Sequence, residues 1–554
     1  MTWVDAKFEK EKSTVYVVER VEGQRIYKEY PANLSFYHDD PKGKFRTIFD
    51  TPVNKVVARS WKEFQKEKRM HTSGKIWESD IKPVNKCIED HYLNSTSPTL
   101  HTAFFDIETG WHDEKGFSPP EDPFNPITAI SIYLDWIQQM ITLVVPPKSL
   151  SLESATEICA KFDNCILFDN DGDLLTAFLD VIEDADILSG WNSEGFDIPY
   201  VVNRITRTLS KNDTRRLCLW DDLPSKRDFE RYGTTSTTYD LSGRVHLDYM
   251  QLYRKYTYHE MHSYSLDAIG EYELDERKVI YSGTLDQLYN QDFEKFIAYG
   301  RQDTLLVAKL DTRLKFIDLA NELAHSNGVM LMATMGTVAV TDQAIINEAH
   351  YRNMIVPDKN FTKDNQSDDD VDAEVMFNAD QAAGAYVATP KVGMHRDIGA
   401  IDINSLYPST IRALNMGPDT LIGQLRPIMT NAMLHSKMQK VGKKKGMTFA
   451  GAWDGQFGSL EYQAVMNRSL VEITIDWENG QGSTTHTAAE VWSLIFESGK
   501  PWCISANGTI LTYEKKGIIP SLLERWYAER KELQAKKKSW GNLLSGIKVP
   551  DRLL

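Results

Sequence analysis

Phe104-Phe105-Asp106-Ile107-Glu108-Thr109-Gly110 sets two carboxylates one residue apart in a β-forming run. Read as a strand, it sends Asp106 and Glu108 out of one face and Phe105 and Ile107 out of the other, because side chains alternate with period 2. Paired carboxylates at the end of a buried strand are costly unless something neutralises them. Hard oxygen ligands of this kind suit Mg²⁺ or Mn²⁺. Two later segments add to the pair. In Asn192-Ser-Glu-Gly-Phe-Asp-Ile-Pro-Tyr200, Asp197 falls just past a predicted strand, where a loop meets a helix start. In Tyr299-Gly-Arg-Gln-Asp303 the spacing of four puts Tyr299 and Asp303 one turn apart on one helix face. A phosphodiester hydrolase needs such a set: two ions about 4 Å apart activate the attacking water and stabilise the leaving oxygen, and a nearby phenol orients the water. Taken singly, each segment reads more readily as ordinary structure, an exposed strand edge for Asp106 and Glu108 and a helix-surface pair for Tyr299 and Asp303, since the chain holds 79 acidic residues.

The elements that would position these groups follow from pattern. From about residue 100 to 310 strands (103–108, 127–134, 140–145, 186–191) alternate with helical stretches (154–162, 174–185), which predicts a sheet covered by helices. Arg231–Tyr239 reads as a protruding hairpin or a surface loop, and Phe293–Ala324 as one long helix or two. Before residue 100, Ser13–Arg20 and Arg25–Tyr30 flank the turn Glu22-Gly23-Gln24 as a hairpin, and Trp61–Arg69 forms a short basic helix. Beyond the acidic stretch Asp364–Glu374, read as a solvated linker, a strand is expected at Ile398–Ile403. An irregular, lysine-bearing segment is expected over 424–510, and a strong helix over Pro520–Lys538. The expected domains are 1–100 (completed by 312–365), 101–311, 375–517 and 518–554, giving an α/β and α+β multidomain protein.

Composition narrows the class without naming a function. Length 554 implies about three to four domains. The net charge of −16 means that a polyanionic partner must be met by local basic surface. Ser521–Leu554, with eight Lys/Arg against four Asp/Glu, is such a region. Five cysteines without a C-x-x-C pair read as buried free thiols. No apolar run approaches the ~20 residues of a membrane helix, so the expectation is a soluble cytoplasmic protein with no membrane partner.

Together the three acidic segments resemble the exonuclease motifs of the proofreading DEDD family: D-I-E, then N-x-x-x-F-D, then Y-x-x-x-D. The resemblance implies a ribonuclease H-like domain with 3′→5′ activity on single-stranded DNA. It makes Asp106, Glu108, Asp197 and Asp303 ligands of two Mg²⁺ (or Mn²⁺) ions and gives Tyr299 the alignment of the water. Ile401-Asp-Ile-Asn-Ser-Leu-Tyr-Pro-Ser409 resembles motif A of family B DNA polymerases, D-x-x-S-L-Y-P-S. That likeness implies a metal ligand in Asp402 and a deoxynucleoside triphosphate held by Ser405, Leu406 and Tyr407, with Tyr407 closing the sugar pocket against a 2′-hydroxyl. Gly384-Ala-Tyr386-Val is similar to the linker motif that touches template DNA, which implies a DNA contact at Gly384 and Tyr386. Arg530 resembles the start of the fingers, where basic residues meet the triphosphate. Leu247-Asp-Tyr, Ser263-Tyr-Ser-Leu-Asp267, Phe196–Val201 and Ser505-Ala-Asn-Gly508 are closest to the polymerases of T-even-like phages.

Two features depart from the family. Gln534 stands four residues after Arg530, where a lysine is usual. Neither a K-x-x-x-N-S-x-Y-G helix nor a D-T-D-S pair follows Asp402. The expectation is therefore the N-terminal part of a replicative polymerase, acting on primer–template DNA and dNTPs. It would synthesise DNA only when a second, C-terminal polymerase subunit supplies the missing motifs, with a sliding clamp as a further partner. The alternatives are a stand-alone 3′→5′ exonuclease and an inactive DNA-binding scaffold.

Overall fold

The computed structural model describes residues 2–71, 74–93, 95–231, 234–359, 391–427, 460–478 and 482–546. They form two compact units, one of Met1–Ser35, Val57–Met70 and Asp80–Gln343, the other of Phe36–Val56, His71–Ser79 and Ala344–Leu554. The chain opens with β1 (Trp3–Glu9), β2 (Thr14–Val21) and β3 (Gln24–Pro31), then β4 (Ser35–Asp39), β5 (Phe45–Thr47), β6 (Pro52–Val57) and β7 (Ile76–Trp77), with helices α1 (Trp61–Met70) and α2 (Pro83–Tyr92). The β2–β3 hairpin turns at Glu22 (φ 50°) and Gly23 (φ 77°), the paired positive φ that a two-residue turn needs to match strand twist.

The first unit is built on a six-stranded sheet. Its strands are β8 (Thr102–Thr109), β9 (Ile127–Leu134), β10 (Gln139–Val144), β11 (Cys165–Leu167), β12 (Ile187–Gly190) and β15 (Val245–Asp248), in the order β11-β10-β9-β8-β12-β15. β8, β9 and β10 run as an antiparallel meander. β12 and β15 then lie parallel to β8, and β11 parallel to β10. Between β12 and β15 stands the separate hairpin β13 (Ser225–Arg231) and β14 (Thr234–Asp240). The helices are α3 (Leu152–Cys159), α4 (Asp171–Val181), α5 (Asp197–Thr208), α6 (Tyr249–Tyr256), α7 (Leu266–Leu274), α8 (Leu285–Gln291) and α9 (Phe293–Leu314). A left-handed Lys315 (φ 58°) separates α9 from the next helix, Phe316–Asn327.

Strand β8 is buried on both faces, which is why it reads as a near-continuous apolar run. Ala103, Phe105 and Ile107 pack with Phe178 of α4 and Ile198 and Val201 of α5. Phe104 faces the opposite core, with Tyr249 of α6 and Leu306 and Leu310 of α9. Period-2 alternation therefore carries Asp106 and Glu108 to the α9 side.

The second unit holds two sheets. One has the order β16-β5-β6-β4-β7, where β16 is Met354–Ile355. The other is antiparallel with the order β19-β18-β17-β21-β20, formed by β17 (Leu421–Pro427), β18 (Glu472–Trp477), β19 (Gly482–Thr487), β20 (Trp502–Ile504) and β21 (Thr509–Thr512). Its core of Leu425, Val465, Ile473, Ile475, Val491 and Ile510 corrects the expected irregularity of 424–510. These strands have three to seven residues, too short for alternation to stand out. A second correction concerns Ile398–Ile403, which is not a strand. Among the described residues no strand pairs with it, and without a ladder partner its backbone has no sheet to join. The expected C-terminal helix runs over Ile518–Gly546, longer than its pattern.

The five cysteines are all free, three of them buried. Among the described residues no helix is long and apolar enough to cross a membrane. The acidic stretch Asp364–Glu374 lies outside the described residues, as do the lysines 437–445 and the DNA-contact expectation at Gly384 and Tyr386.

Candidate metal centre

Two elements, β8 and α9, bring three carboxylates to one place, and α5 begins beside them with a fourth that acts on Asp106 electrostatically. β8 carries Asp106 and Glu108, α5 begins with Asp197, and α9 carries Asp303 one turn after Tyr299. Carboxylate oxygens of Asp106, Glu108 and Asp303 lie within 4.8 Å of one another. Glu108 and Asp303 are buried, whereas Asp106 is half-buried and is the member that reaches solvent. Asp197 is also buried and is steered by the strand: its Oδ1 accepts the backbone N–H of Ile107 at 3.2 Å.

The approach of α9 to the sheet depends on Gly300. A Cβ there would stand 3.2 Å from Ser131 Oγ on β9 and 3.9 Å from Glu108 Cγ. Thr304, one turn on, donates to the carbonyl of Ser131 at 3.3 Å and so ties α9 to β9. Gly190 plays the matching part at the end of β12, where a Cβ would lie 2.6 Å from the Phe105 carbonyl oxygen.

Lys278, which the sequence did not single out, completes the group. Its Nζ donates to Asp303 Oδ2 at 2.5 Å and to the Tyr299 hydroxyl at 3.2 Å. Its backbone N–H is held at 2.9 Å by Asp267, the last residue of the Ser-Tyr-Ser-Leu-Asp segment. Nothing in Glu276-Arg277-Lys278 distinguishes one cation from its neighbour; only the loop's hold by Asp267 does. Tyr299 is further fixed by Tyr281, whose ring meets it edge-on at 5.3 Å.

The electrostatics of this group are unbalanced. Four carboxylates against one ammonium leave −3 when all are ionised (−4 + 1). Burial, then Glu108, Asp197 and Asp303, push the Asp106 carboxyl well above the usual range. Burial and Asp303 push Glu108 up to about 8. Burial raises Asp197 to about 7 against the pull of the Ile107 N–H. Burial raises Asp303 as well, with Lys278 opposing. For Lys278 burial acts downward, but Asp303 and Tyr299 outweigh it and hold the ammonium charged. Asp303 Oδ1 is buried with no hydrogen-bond partner, a cost of about 1–3 kcal/mol or more for a charged group. A divalent cation among these oxygens removes that cost and cancels most of the charge excess, so the residues present fit a metal ion.

The segment around Asp402 is arranged differently. Asp402, Leu406 and Tyr407 are exposed and Ser405 is half-buried. Ser405 sits in the left-handed region (φ 54°) just before the helix Leu406–Ala413. Asp402 is not part of the acidic cluster found among the described residues. Arg530 is exposed on the long helix Ile518–Gly546.

A family model described as DNA polymerase family B, exonuclease domain, matches residues 53–269, and one described as DNA polymerase family B matches residues 331–456. The chain belongs to family B of the DNA polymerases. The first match contains Asp106, Glu108 and Asp197, and the second contains Asp402. Among family B relatives, the DNA-directed DNA polymerase of Escherichia phage RB69 is 27% identical over 393 residues, covering 68% of this chain and 41% of that protein. That of Enterobacteria phage T4 is 29% identical over 261 residues, 47% of this chain and 27% of that protein. The DNA polymerase delta catalytic subunit of Plasmodium falciparum is 27% identical over 421 residues, 71% of this chain and 35% of that one. The chain thus spans less than half the length of these family B relatives.

Proposed function

We propose that the first unit is a 3′→5′ exonuclease that hydrolyses the terminal phosphodiester of single-stranded DNA, as the proofreading part of a family B replicative polymerase. The observation that carries this reading is the convergence of Asp106, Glu108 and Asp303 around a buried, unpartnered Asp303 oxygen. The sheet supports a ribonuclease H-like fold: an antiparallel meander followed by parallel strands, with the acidic pair on its central strand β8. Asp106, Glu108, Asp197 and Asp303 would hold two Mg²⁺ or Mn²⁺ ions. Bound there, the ions would supply the positive charge that activates water and stabilises the leaving oxygen.

The protein's own groups do the rest. Tyr299, its hydroxyl turned toward Lys278 and its ring braced by Tyr281, orients the attacking water. Lys278 places a fixed ammonium where negative charge grows on the scissile phosphate. Trp111 and Phe117, 46% and 55% exposed, meet edge-on at 4.9 Å in the loop that leaves β8. Exposed rings three and nine residues after Glu108 in the chain suit stacking on unpaired bases, at about 1–3 kcal/mol per base.

Nucleotidyl transfer is proposed for the second unit only when Asp402 is joined by a second carboxylate. Its exposed position, outside the acidic cluster, favours the exonuclease as the activity of this chain by itself. On the helix Ile518–Gly546 the exposed Leu533 and Trp540 stand seven residues apart, on one stripe. That stripe suits packing against another helix of a polymerase subunit, beside a basic surface for dNTP. The test of the exonuclease reading is incubation of the full chain with 3′-labelled single-stranded DNA. Release of labelled mononucleotide that needs Mg²⁺ and disappears in Asp106→Ala supports the reading. Binding of DNA without release supports the scaffold.

A further inference from the structure

Asp197 reaches the metal centre on a loop, residues 191–196, that is gripped from two sides. On the inner side Asp248, at the end of β15, accepts the backbone N–H groups of Asn192 at 3.2 Å and Glu194 at 3.1 Å. Ser193 Oγ pairs with His246 Nε2 at 2.9 Å on the same strand. The loop needs this hold, because Asn192 is in the left-handed region (φ 61°) and the helix it feeds begins without a side-chain cap. On the outer side the grip comes from the separate hairpin. Arg227 of β13 donates Nη2–H to Glu194 Oε1 at 2.9 Å and Nε–H to Asp240 of β14 at 3.0 Å. Arg227 and Glu194 are both half-buried, at 25% and 15% side-chain exposure, so solvent screens their pair less than an open surface pair. The hairpin also holds the far side of the ligand: Tyr239 of β14 donates to Asn203 Oδ1 on α5 at 2.7 Å. Asp197 is the first residue of α5, so the hairpin grasps both the loop before it and the helix after it.

We propose that Arg227 is a positioning residue for Asp197. Through Glu194 it fixes the loop that delivers this carboxylate, so the base of the hairpin and the metal centre move as one unit. The proposal rests on the exonuclease reading for its kinetic consequence but not for its metal consequence. Its side-chain hydrogen bonds go to Glu194 and Asp240 and not to a metal ligand, so it acts on Asp197 through Glu194 and the hairpin. A displacement of about 1 Å in a ligand is enough to slow chemistry by about 10²-fold, and loss of a group that orients a ligand weakens metal binding by about tenfold or more.

The test is a Mn²⁺ titration of the full chain, following free Mn²⁺ by electron paramagnetic resonance, together with Mg²⁺-dependent hydrolysis of single-stranded DNA. The variants are Arg227→Met, Arg227→Lys, Glu194→Gln and the double Arg227→Met/Glu194→Gln. Arg227→Met and Glu194→Gln should each weaken Mn²⁺ binding about tenfold and lower kcat with KM for DNA unchanged. The double variant should be no worse than either single one, and Arg227→Lys should recover part of the loss. A rise in KM alone, with Mn²⁺ affinity intact, makes Arg227 a DNA contact and overturns the proposal, as do fully additive losses. If the wild type hydrolyses no DNA, the exonuclease reading fails, while the Mn²⁺ titration still decides whether Arg227 positions Asp197. Glu194→Gln, which keeps the shape of the side chain, guards against a folding defect in Arg227→Met.

Discussion

Lys278 Nζ lies 2.5 Å from Asp303 Oδ2, while the other oxygen of the same carboxylate is buried with no partner. One oxygen of this carboxylate is neutralised by a protein cation, and the other is a candidate ligand for a divalent ion. This pairing explains how the chain can fold around four clustered acids before any metal arrives.

Replacing Lys278 with Met should remove the protein cation that the described residues place among these acids. A positioned charge of this kind is worth about 10²–10³ in rate, so single-turnover hydrolysis should fall by about that factor at saturating Mg²⁺. In chelator the variant should also melt several degrees below the wild type, because Asp303 loses its hydrogen-bonded partner. An unchanged rate would remove Lys278 from the mechanism.

The acids also predict a pH effect on stability without metal. Folding raises Glu108 from 4.5 to about 8 and Asp197 from 3.8 to about 7. A carboxyl raised in this way favours the fold fully below its unfolded value and loses that contribution as pH climbs through the folded value. In chelator the melting temperature should therefore decline between about pH 5 and 8, with a shallower slope in Glu108→Gln. Added Mg²⁺ should flatten the decline, because binding displaces those protons. Identical slopes for wild type and variant would count against the buried cluster.

Gly300→Ala separates stability from positioning. Alanine favours a helix by about 1 kcal/mol over glycine, which roughly offsets the crowding of its methyl 3.2 Å from Ser131 Oγ. The melting temperature should hardly move. Because α9 carries Tyr299 and Asp303, kcat should nevertheless drop by about tenfold or more. Equal melting and equal kcat would show that the close approach of α9 to β9 does not matter to the chemistry.

Trp111→Ala should act on substrate binding. Losing one base–ring contact costs about 1–3 kcal/mol, so KM for single-stranded DNA should rise by about tenfold, with metal affinity untouched. A fall in kcat at unchanged KM would point to a role inside the metal centre.

Much of the first unit was legible because its signals were local. Asp106 and Glu108 alternate with Phe105 and Ile107, and Tyr299 and Asp303 share a helix face; period placed each pair, and that the pairs belong together was read from the resemblance of their motifs. The β2–β3 hairpin was written in Glu22-Gly23. Lys278 was not legible, because it reaches the site through a loop whose position depends on a contact with Asp267. Gly300 was missed for a similar reason: its value lies in the close packing of α9 on β9, which no neighbouring residue announces. In the second unit Ile398–Ile403 has the residue types of a strand, yet a strand also needs a neighbour to pair with. The sheet within 421–512 was hidden by short strands, two of which pair with β17 across 45 residues or more of chain.

The most direct test of the metal centre is hydrolysis of 3′-labelled single-stranded DNA by the full chain and by Asp303→Asn, each titrated with Mg²⁺. The variant keeps the shape of the side chain but loses the charge that Lys278 and the metal share. Wild-type release of mononucleotides from the 3′ end should depend on Mg²⁺ and fall by about 10³-fold or more in Asp303→Asn. Release at the wild-type rate by the variant, or hydrolysis by the wild type that persists in chelator, would contradict this expectation.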